Sequence, residues 1–260
     1  MDDPVLLTVD GPIAEITFNR PDALNAIDIA TARAFDEITS AALDVPGIRV
    51  IVLSGKGRSF MAGGDLQAFR EASDKPAIAE AIIAPMNAAL ARLHMSNVLI
   101  LALVQGPVAG AGLSLILAAD FVIAAENTAF SFAYLKIGAP ADCGITWSLP
   151  RSIGLRRALW LAMEGSALSA ERALDWGLVG KIVALESLAE EGRKLAERLA
   201  RTAPGAAAAL KTLLLQSFEA DFPTALQAEK DAFTTAAATS DFSEALEAFF
   251  GKRPARFTGN

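Results

Sequence analysis

Val5 to Val9 and Ile13 to Phe18, separated by Asp10-Gly11-Pro12, read as two strands joined by a turn. The period then changes. From Asp28 to Val45, apolar residues fall at helical spacing (Ile29, Ala32, Phe35, Ile38, Ala42), with Asp28 placed to cap the helix and Pro46-Gly47 to stop it. Val50 to Leu53 predicts a buried strand. A glycine-rich loop follows, Ser54-Gly-Lys-Gly-Arg-Ser-Phe-Met-Ala-Gly-Gly-Asp65, with a helix starting near Asp65.

Val98 to Ala119 carries no charge, and by length alone it is a candidate membrane span. Gln105, Gly106, Pro107, Gly110 and Gly112 interrupt its middle, and no Lys or Arg cluster flanks it. It therefore predicts a strand over Val98 to Val104, a tight turn over Gln105 to Ala109 and a buried helix over Gly110 to Ala119. Asp120 to Ala125 and Ala129 to Phe132 read as strands, Lys136 to Thr146 as a loop, and Trp147 to Arg151 and Leu155 to Met163 as helices. After Glu186 strands disappear. The remainder predicts about four helices, divided near Ala203-Pro204, Asp221-Phe222-Pro223 and Ser240-Asp241, with Ser240 and Glu244 placed to cap the last. The expected organisation is an α/β spiral over residues 1–185 and a helical region over 186–260.

The chain has 260 residues, 53% of them hydrophobic and 20% charged, which is enough for a sizeable core. A net charge of −7 with no basic run argues against a nucleic-acid partner, and any anionic ligand must be met by a few local cations. One cysteine, Cys143, excludes a disulfide scaffold and a multi-Cys metal site, so no metal is expected. The acidic Met-Asp-Asp-Pro start has no apolar run behind it, and a reducing cytoplasm is the expected location.

Two glycine-rich loops each lead from a buried strand into a helix. Such a turn aims free backbone N–H groups beyond the helix N-terminus, where they can bind an anion or an oxyanion. A dinucleotide cradle fits poorly, because Gly110-Ala-Gly112-Leu-Ser-Leu115 lacks the third glycine of that fingerprint. Two such units can bring two N–H groups onto one carbonyl oxygen, the geometry that acyl transfer and enolate chemistry require. Two ordinary βα turns would look the same in the sequence.

The motifs taken together resemble the crotonase (enoyl-CoA hydratase/isomerase) superfamily. They are Asn19-Arg20-Pro21 with Ala23-Leu24-Asn25-Ala26, Ser54-Gly55, Phe60-Met61-Ala62-Gly63-Gly64-Asp65-Leu66, and Gly106-Pro-Val-Ala-Gly-Ala-Gly112 with Ala119-Asp120. Leu149-Pro-Arg151, Ala173 to Val179, and Lys252-Arg253-Pro254 with Phe257 continue them in family order. The resemblance implies a spiral of ββα turns with a trimerising helical tail, as a homotrimer or a dimer of trimers. It places the oxyanion donors on the backbone N–H groups of Gly64 and Ala111. It lines the coenzyme A path with Ala23, Ala62, Asp65, Leu66 and Gln67, and brings Lys56 or Arg58, with Lys252 of a neighbouring copy, to the phosphates. The partner it implies is an acyl-CoA thioester, with coenzyme A as part of the substrate and no separate cofactor or membrane.

Departures from the family pattern bear on the reaction. Hydratases place two Glu residues where this chain has Ser114 and Tyr134, and neither is a useful base near neutral pH. The halobenzoyl-CoA dehalogenase pattern needs His where Ala91 stands. Ala141-Asp142-Cys-Gly-Ile-Thr-Trp147 is similar instead to the Pro-Asp-Cys/Ser-Gly-Gly-Thr-Trp motif of ring-epoxide and Δ3,Δ2-enoyl-CoA isomerases of the phenylacetate-pathway type, with Ala141 and Ile145 as departures. Asp142 is then the single acid/base of a 1,3-proton shift, unless it only caps the helix that follows. An enoyl-CoA hydratase using Asp142 alone and a non-catalytic acyl-CoA binder are the alternatives. Tyr134 either lines the acyl pocket or hydrogen-bonds Asp142. His94, flanked by Leu93 and Met95, and Cys143 read as structural.

Overall fold

The structure, a computed structural model, describes residues 3–260. The first two strands, β1 (Val5–Asp10) and β2 (Ile13–Phe18), pair antiparallel across the expected turn. Helix α1 (Ile29–Asp44) follows, and the Asp28 carboxylate caps it by accepting from Thr31 N at 2.8 Å. Next come β3 (Val50–Gly55), α2 (Leu66–Glu71), α3 (Lys75–Met95), β4 (Leu99–Val104), β5 (Pro107–Ala109) and α4 (Ala111–Leu117). The core then adds β6 (Phe121–Ala125), β7 (Ala129–Ser131), α5 (Ile145–Ile153), α6 (Leu155–Glu164), β8 (Leu168–Ser169), α7 (Ala170–Trp176) and β9 (Lys181–Val183). The four helices after Glu186 are α8 (Leu188–Ala200), α9 (Pro204–Gln216), α10 (Phe222–Ala237) and α11 (Ser240–Phe250).

The strands divide between two sheets. Six form one sheet in the order β1-β2-β3-β4-β6-β9, parallel from β2 onward; β5, β7 and β8 form the other. The chain winds from one sheet to the other and back, which is the expected α/β spiral of ββα turns. Parallel strands buried on both faces need no alternation, which is why Val50 to Leu53 is continuously apolar. One face packs against α1, α3, α4 and α5 through Phe18, Phe35, Phe60, Met86 and Leu93. The other receives α8, whose Leu188, Ala196 and Ala200 meet Val50, Val52, Leu101, Leu103 and Ile123. No helix among the described residues is long and apolar enough to cross a membrane.

Three expectations are corrected. Gln105 to Ala109 is not wholly a turn: the chain bends at Gly106 (φ +60°) and Pro107–Ala109 becomes β5, paired with β7. A three-residue strand opening on proline is too short to show a period. The last helix is capped by Thr239, whose hydroxyl accepts from Phe242 N at 3.1 Å, and not by Ser240. Thr239 holds the extended backbone a cap needs, whereas Ser240 is already helical and donates to Asn260 O. Asp142 is no cap either, since Gly144 holds that position on α5 with no side-chain bond.

Two contacts hold the frame around the loops. Lys211, buried on α9, donates to Asp120 Oδ2 at 2.9 Å and Val98 O at 3.0 Å, and the same carboxylate oxygen accepts from Ile100 N at 2.8 Å. Gly112 lets α4 lie directly on the first loop, because a Cβ there would overlap the Met61 carbonyl oxygen. Lys211→Met, which leaves the Asp120 carboxylate with Ile100 N as its remaining donor, is expected to lower unfolding free energy by about 1–3 kcal/mol in denaturant titration; a loss under about 0.5 kcal/mol would mean the pair is energetically idle. Gly112→Ala is expected to cost about 1–3 kcal/mol and to separate the two loops, and an unchanged melting temperature would show that the contact yields freely.

Candidate active site

The first loop, Lys56 to Asp65, has few ladder bonds of its own, and buried carbonyls without partners are costly. Side chains from elsewhere supply them. Asn25, buried and left-handed (φ 56°), shares its amide protons among Lys56 O, Ser59 O and Phe60 O at 3.0, 2.9 and 3.1 Å, and its Oδ1 accepts from Arg20 N at 2.8 Å. Gln105 donates to Gly55 O and Gly57 O at 2.7 and 3.0 Å. The sequence marked Asn25 only as a motif residue and gave no sign of this role for Gln105, because their partners lie far along the chain.

The second loop lies against the first. Met61 bridges Val108, and Ala109 N donates to Met61 O at 3.0 Å. A Cβ on Gly63 would stand 3.1 Å from Ala109 O, and one on Gly110 would stand 3.7 Å from Gly63 Cα. Gly63-Gly64 and Gly110-Ala111 therefore run side by side. Ile27 N donates to Gly63 O (2.8 Å) and Asp65 N to Ile27 O (2.9 Å), a bridge that skips the amide of Gly64. Ala111 is the first residue of α4, where an N–H has no partner within the helix. Neither amide has an acceptor among the described residues. Two free donors thus sit on adjacent strands of backbone.

Asp142 stands beside this turn on the segment before α5. Cys143 (φ 53°) and Gly144 (φ 75°) are both left-handed, and Ile145 N donates to Asp142 O at 3.3 Å, the signature of a tight primed turn. The Tyr134 phenol donates to Asp142 Oδ1. Ser114 Oγ lies 3.2 Å from the Tyr134 oxygen and donates to Asp142 O at 3.3 Å. Ser114 and Tyr134 are therefore linked to each other and to Asp142. The Tyr134 ring also borders Gly110, with Cζ 4.0 Å from where its Cβ would be.

Burial pushes the Tyr134 phenol well above its ordinary value, and the Asp142 charge and hydrogen bond push it further, so it stays protonated at neutral pH. Burial likewise raises the Cys143 thiol, again helped by Asp142, which leaves a protonated packing residue and no nucleophile. His94, in the last turn of α3, lies edge-on to Trp147 with ring centroids 5.2 Å apart, and its imidazole makes no hydrogen bond among the described residues.

The other expected residues are partly gathered. Ala23 lies in a short 3-10 turn, and Ala62 N donates to Leu24 O at 3.1 Å, so Ala23, Ala62 and Gly64 share one neighbourhood. Asp65 is occupied by its own chain: it caps α2 by accepting from Gln67 N and Ala68 N, and it pairs with Arg20 at 3.1 Å. Leu66 and Gln67 are exposed, and Gln67 bonds Glu71. Lys56 and Arg58 are exposed on the rim of the first loop. Lys252 is not among the gathered residues; it is exposed and follows α11.

The sequence profile of the Enoyl-CoA hydratase/isomerase family matches residues 8–260. The chain is 35% identical to the 1,2-epoxyphenylacetyl-CoA isomerase of Escherichia coli, with 98% of each chain covered. It is also 35% identical to a Rhodobacter capsulatus protein described as an enoyl-CoA hydratase, with 95% of each covered. Among solved structures, a Mycobacterium abscessus protein described as an enoyl-CoA hydratase/isomerase superposes with a TM-score of 0.94 at 34% identity, over 98% of this chain and 100% of that one. The fold, the paired loops and these relatives lead to one statement: the chain belongs to the enoyl-CoA hydratase/isomerase family of the crotonase superfamily and is an enzyme of that family.

Proposed function

We propose that the chain is an enoyl-CoA isomerase that moves a proton between two carbons of an acyl-CoA thioester, with Asp142 as the acid/base. One observation carries this reading. Asp142 is the carboxylate next to the free amides that has no ion-pair partner among the described residues, and the positions of the hydratase pair hold Ser114 and Tyr134. A carboxylate alone suits a 1,3-shift. It takes a proton from one carbon; the electron pair spreads onto the thioester oxygen; the protonated carboxyl returns the proton two carbons away. The N–H groups of Gly64 and Ala111 hold the oxyanion between the steps. Each such donor is worth about 10²–10³ in rate, and the acid/base about 10²–10⁴.

Ala23, Ala62, Leu66 and Gln67 would flank the coenzyme A, with Tyr134 beside the acyl group. Lys56, Arg58 and Lys252 from a neighbouring copy would meet its phosphates. Asp65 would contribute through its backbone and as the cap of α2, since its carboxylate is already bonded. The assembly proposed is a homotrimer or a dimer of trimers. Its support is the row of apolar side chains left uncovered on the tail: Leu210, Leu214, Phe218 and Leu246 are exposed, and Phe249 and Phe250 are each 78% exposed.

The decisive assay sets 3-enoyl, 2-enoyl and ring-epoxide CoA thioesters side by side. Asp142→Asn, which keeps shape and removes the proton acceptor, is expected to cut isomerisation about 10²–10⁴-fold with little change in affinity. Fast hydration of the 2-enoyl thioester, as the hydratases among the relatives would perform, or turnover that survives Asp142→Asn, would overturn the isomerase reading. In sedimentation the chain is expected to run as a trimer or hexamer at micromolar concentration. A stable monomer would remove the assembly.

A further inference from the structure

We propose that Tyr134 is a positioning residue: its phenol clamps Oδ1 of Asp142, leaving Oδ2 as the working oxygen, with Ser114 holding the clamp in place. The inference rests on the isomerase reading for its chemistry and on the hydrogen-bond geometry for its substance.

A free carboxylate rotates and presents either oxygen. Here Oδ1 accepts the Tyr134 proton, while Oδ2 accepts no N–H or O–H bond among the described residues, and the Cys143 thiol beside the carboxylate is only a weak donor. The phenol is itself fixed. It is buried, its ring stacks edge-on to Phe132 with centroids 5.2 Å apart, and its oxygen meets Ser114 Oγ at 3.2 Å. Ser114 comes from α4 and is also buried. Its one proton serves either the phenol oxygen or the carbonyl of Asp142, so at any moment it ties one of the two to the helix that carries Ala111. The left-handed pair Cys143-Gly144 fixes the same carbonyl from the other side through Ile145 N. Cys143 is the other titratable group beside the phenol, and it too stays protonated.

The clamp bears on specificity as well as rate. A second carboxylate would hold a water and set it up for attack on the double bond. Ser114 and Tyr134 fill that space and direct their hydrogen bonds to each other and to Asp142. Oδ2 thus receives a proton from one carbon of the acyl chain and keeps it until it is returned to another. No co-reactant is consumed, and the proton count is unchanged between substrate and product.

Tyr134 is the only tyrosine of the chain, so its ionisation can be followed alone at 295 nm. In the wild type the phenol is expected to remain protonated well past pH 10. Its folded value is raised, so its contribution to stability is complete below the ordinary phenol pH and is lost as pH climbs through the folded value. Asp142→Asn removes the charge and weakens the acceptor, so the absorbance step should move to lower pH; an unmoved step would overturn the clamp. This readout needs no activity, and it tests the clamp even if the isomerase reading fails. Tyr134→Phe, which keeps the ring, should lower kcat about tenfold with KM unchanged. It should also lower the fraction of deuterium carried from the donor carbon into the product, because a carboxyl free to turn exchanges its proton with water. A Tyr134→Phe enzyme with wild-type kcat and wild-type label retention would show that the phenol only fills space. Ser114→Ala, which leaves Tyr134 and Asp142 intact, should show the same loss of label to a smaller degree, and label retention equal to the wild type would remove Ser114 from the proposal.

Discussion

Two backbone amides without acceptors keep their places only because the groups around them are paired. A loop that exposes an N–H will turn to satisfy it unless the rest of its backbone is already committed. Asn25, Gln105 and Ile27 make that commitment for the first loop, and Met61 and Ser131 make it for the second. Arg20 reinforces the arrangement by pairing with Asp28 and Asp65, the caps of α1 and α2. Gly112 and Gly63 then let the loops touch without side chains between them. The chemistry of the site therefore depends on how completely its surroundings are hydrogen-bonded.

The same logic explains how little formal charge the centre uses. Asp142 has no cation in contact among the described ion pairs, and the free donors near it, the amides of Gly64 and Ala111, are dipoles. Tyr134 and Cys143 are kept neutral by burial and by Asp142 together. Asp142 is thus a carboxylate set among neutral groups. The cations Lys56 and Arg58 stay exposed on the first loop.

Local signals were legible in the sequence and distant ones were not. Helix α1 could be read because its cap, period and stop lie within one stretch, and β3 and β4 because buried parallel strands form continuous apolar runs, Val50 to Leu53 and Leu99 to Val104. The strands β5 and β8 could not, since two or three residues carry no period and their pairing is across the spiral. Thr239 and Ser240 both carry cap hydroxyls, and only backbone angles separate them. Gly64, Ala111 and Asp142 stand out in the sequence only through family motifs. The bond from Tyr134 to Asp142 was one of two open readings, decided by how the 3-10 turn at Tyr134–Ile137 aims the ring. Asn25 was visible as a residue and invisible as a support.

The strand order of the large sheet has a consequence for how the molecule comes into being. In β1-β2-β3-β4-β6-β9 each strand pairs with the one placed before it, and none has to insert between two neighbours already joined. Assembly can therefore advance by accretion as the chain leaves the ribosome, each new strand adding to the last exposed edge, although every pairing after β1–β2 waits for a long crossover to close. What arrives last is a latch. Arg49, at the start of β3, donates to Ala200 O and to Phe257 O, so a residue laid down early waits unsatisfied until the final residues arrive to close over it.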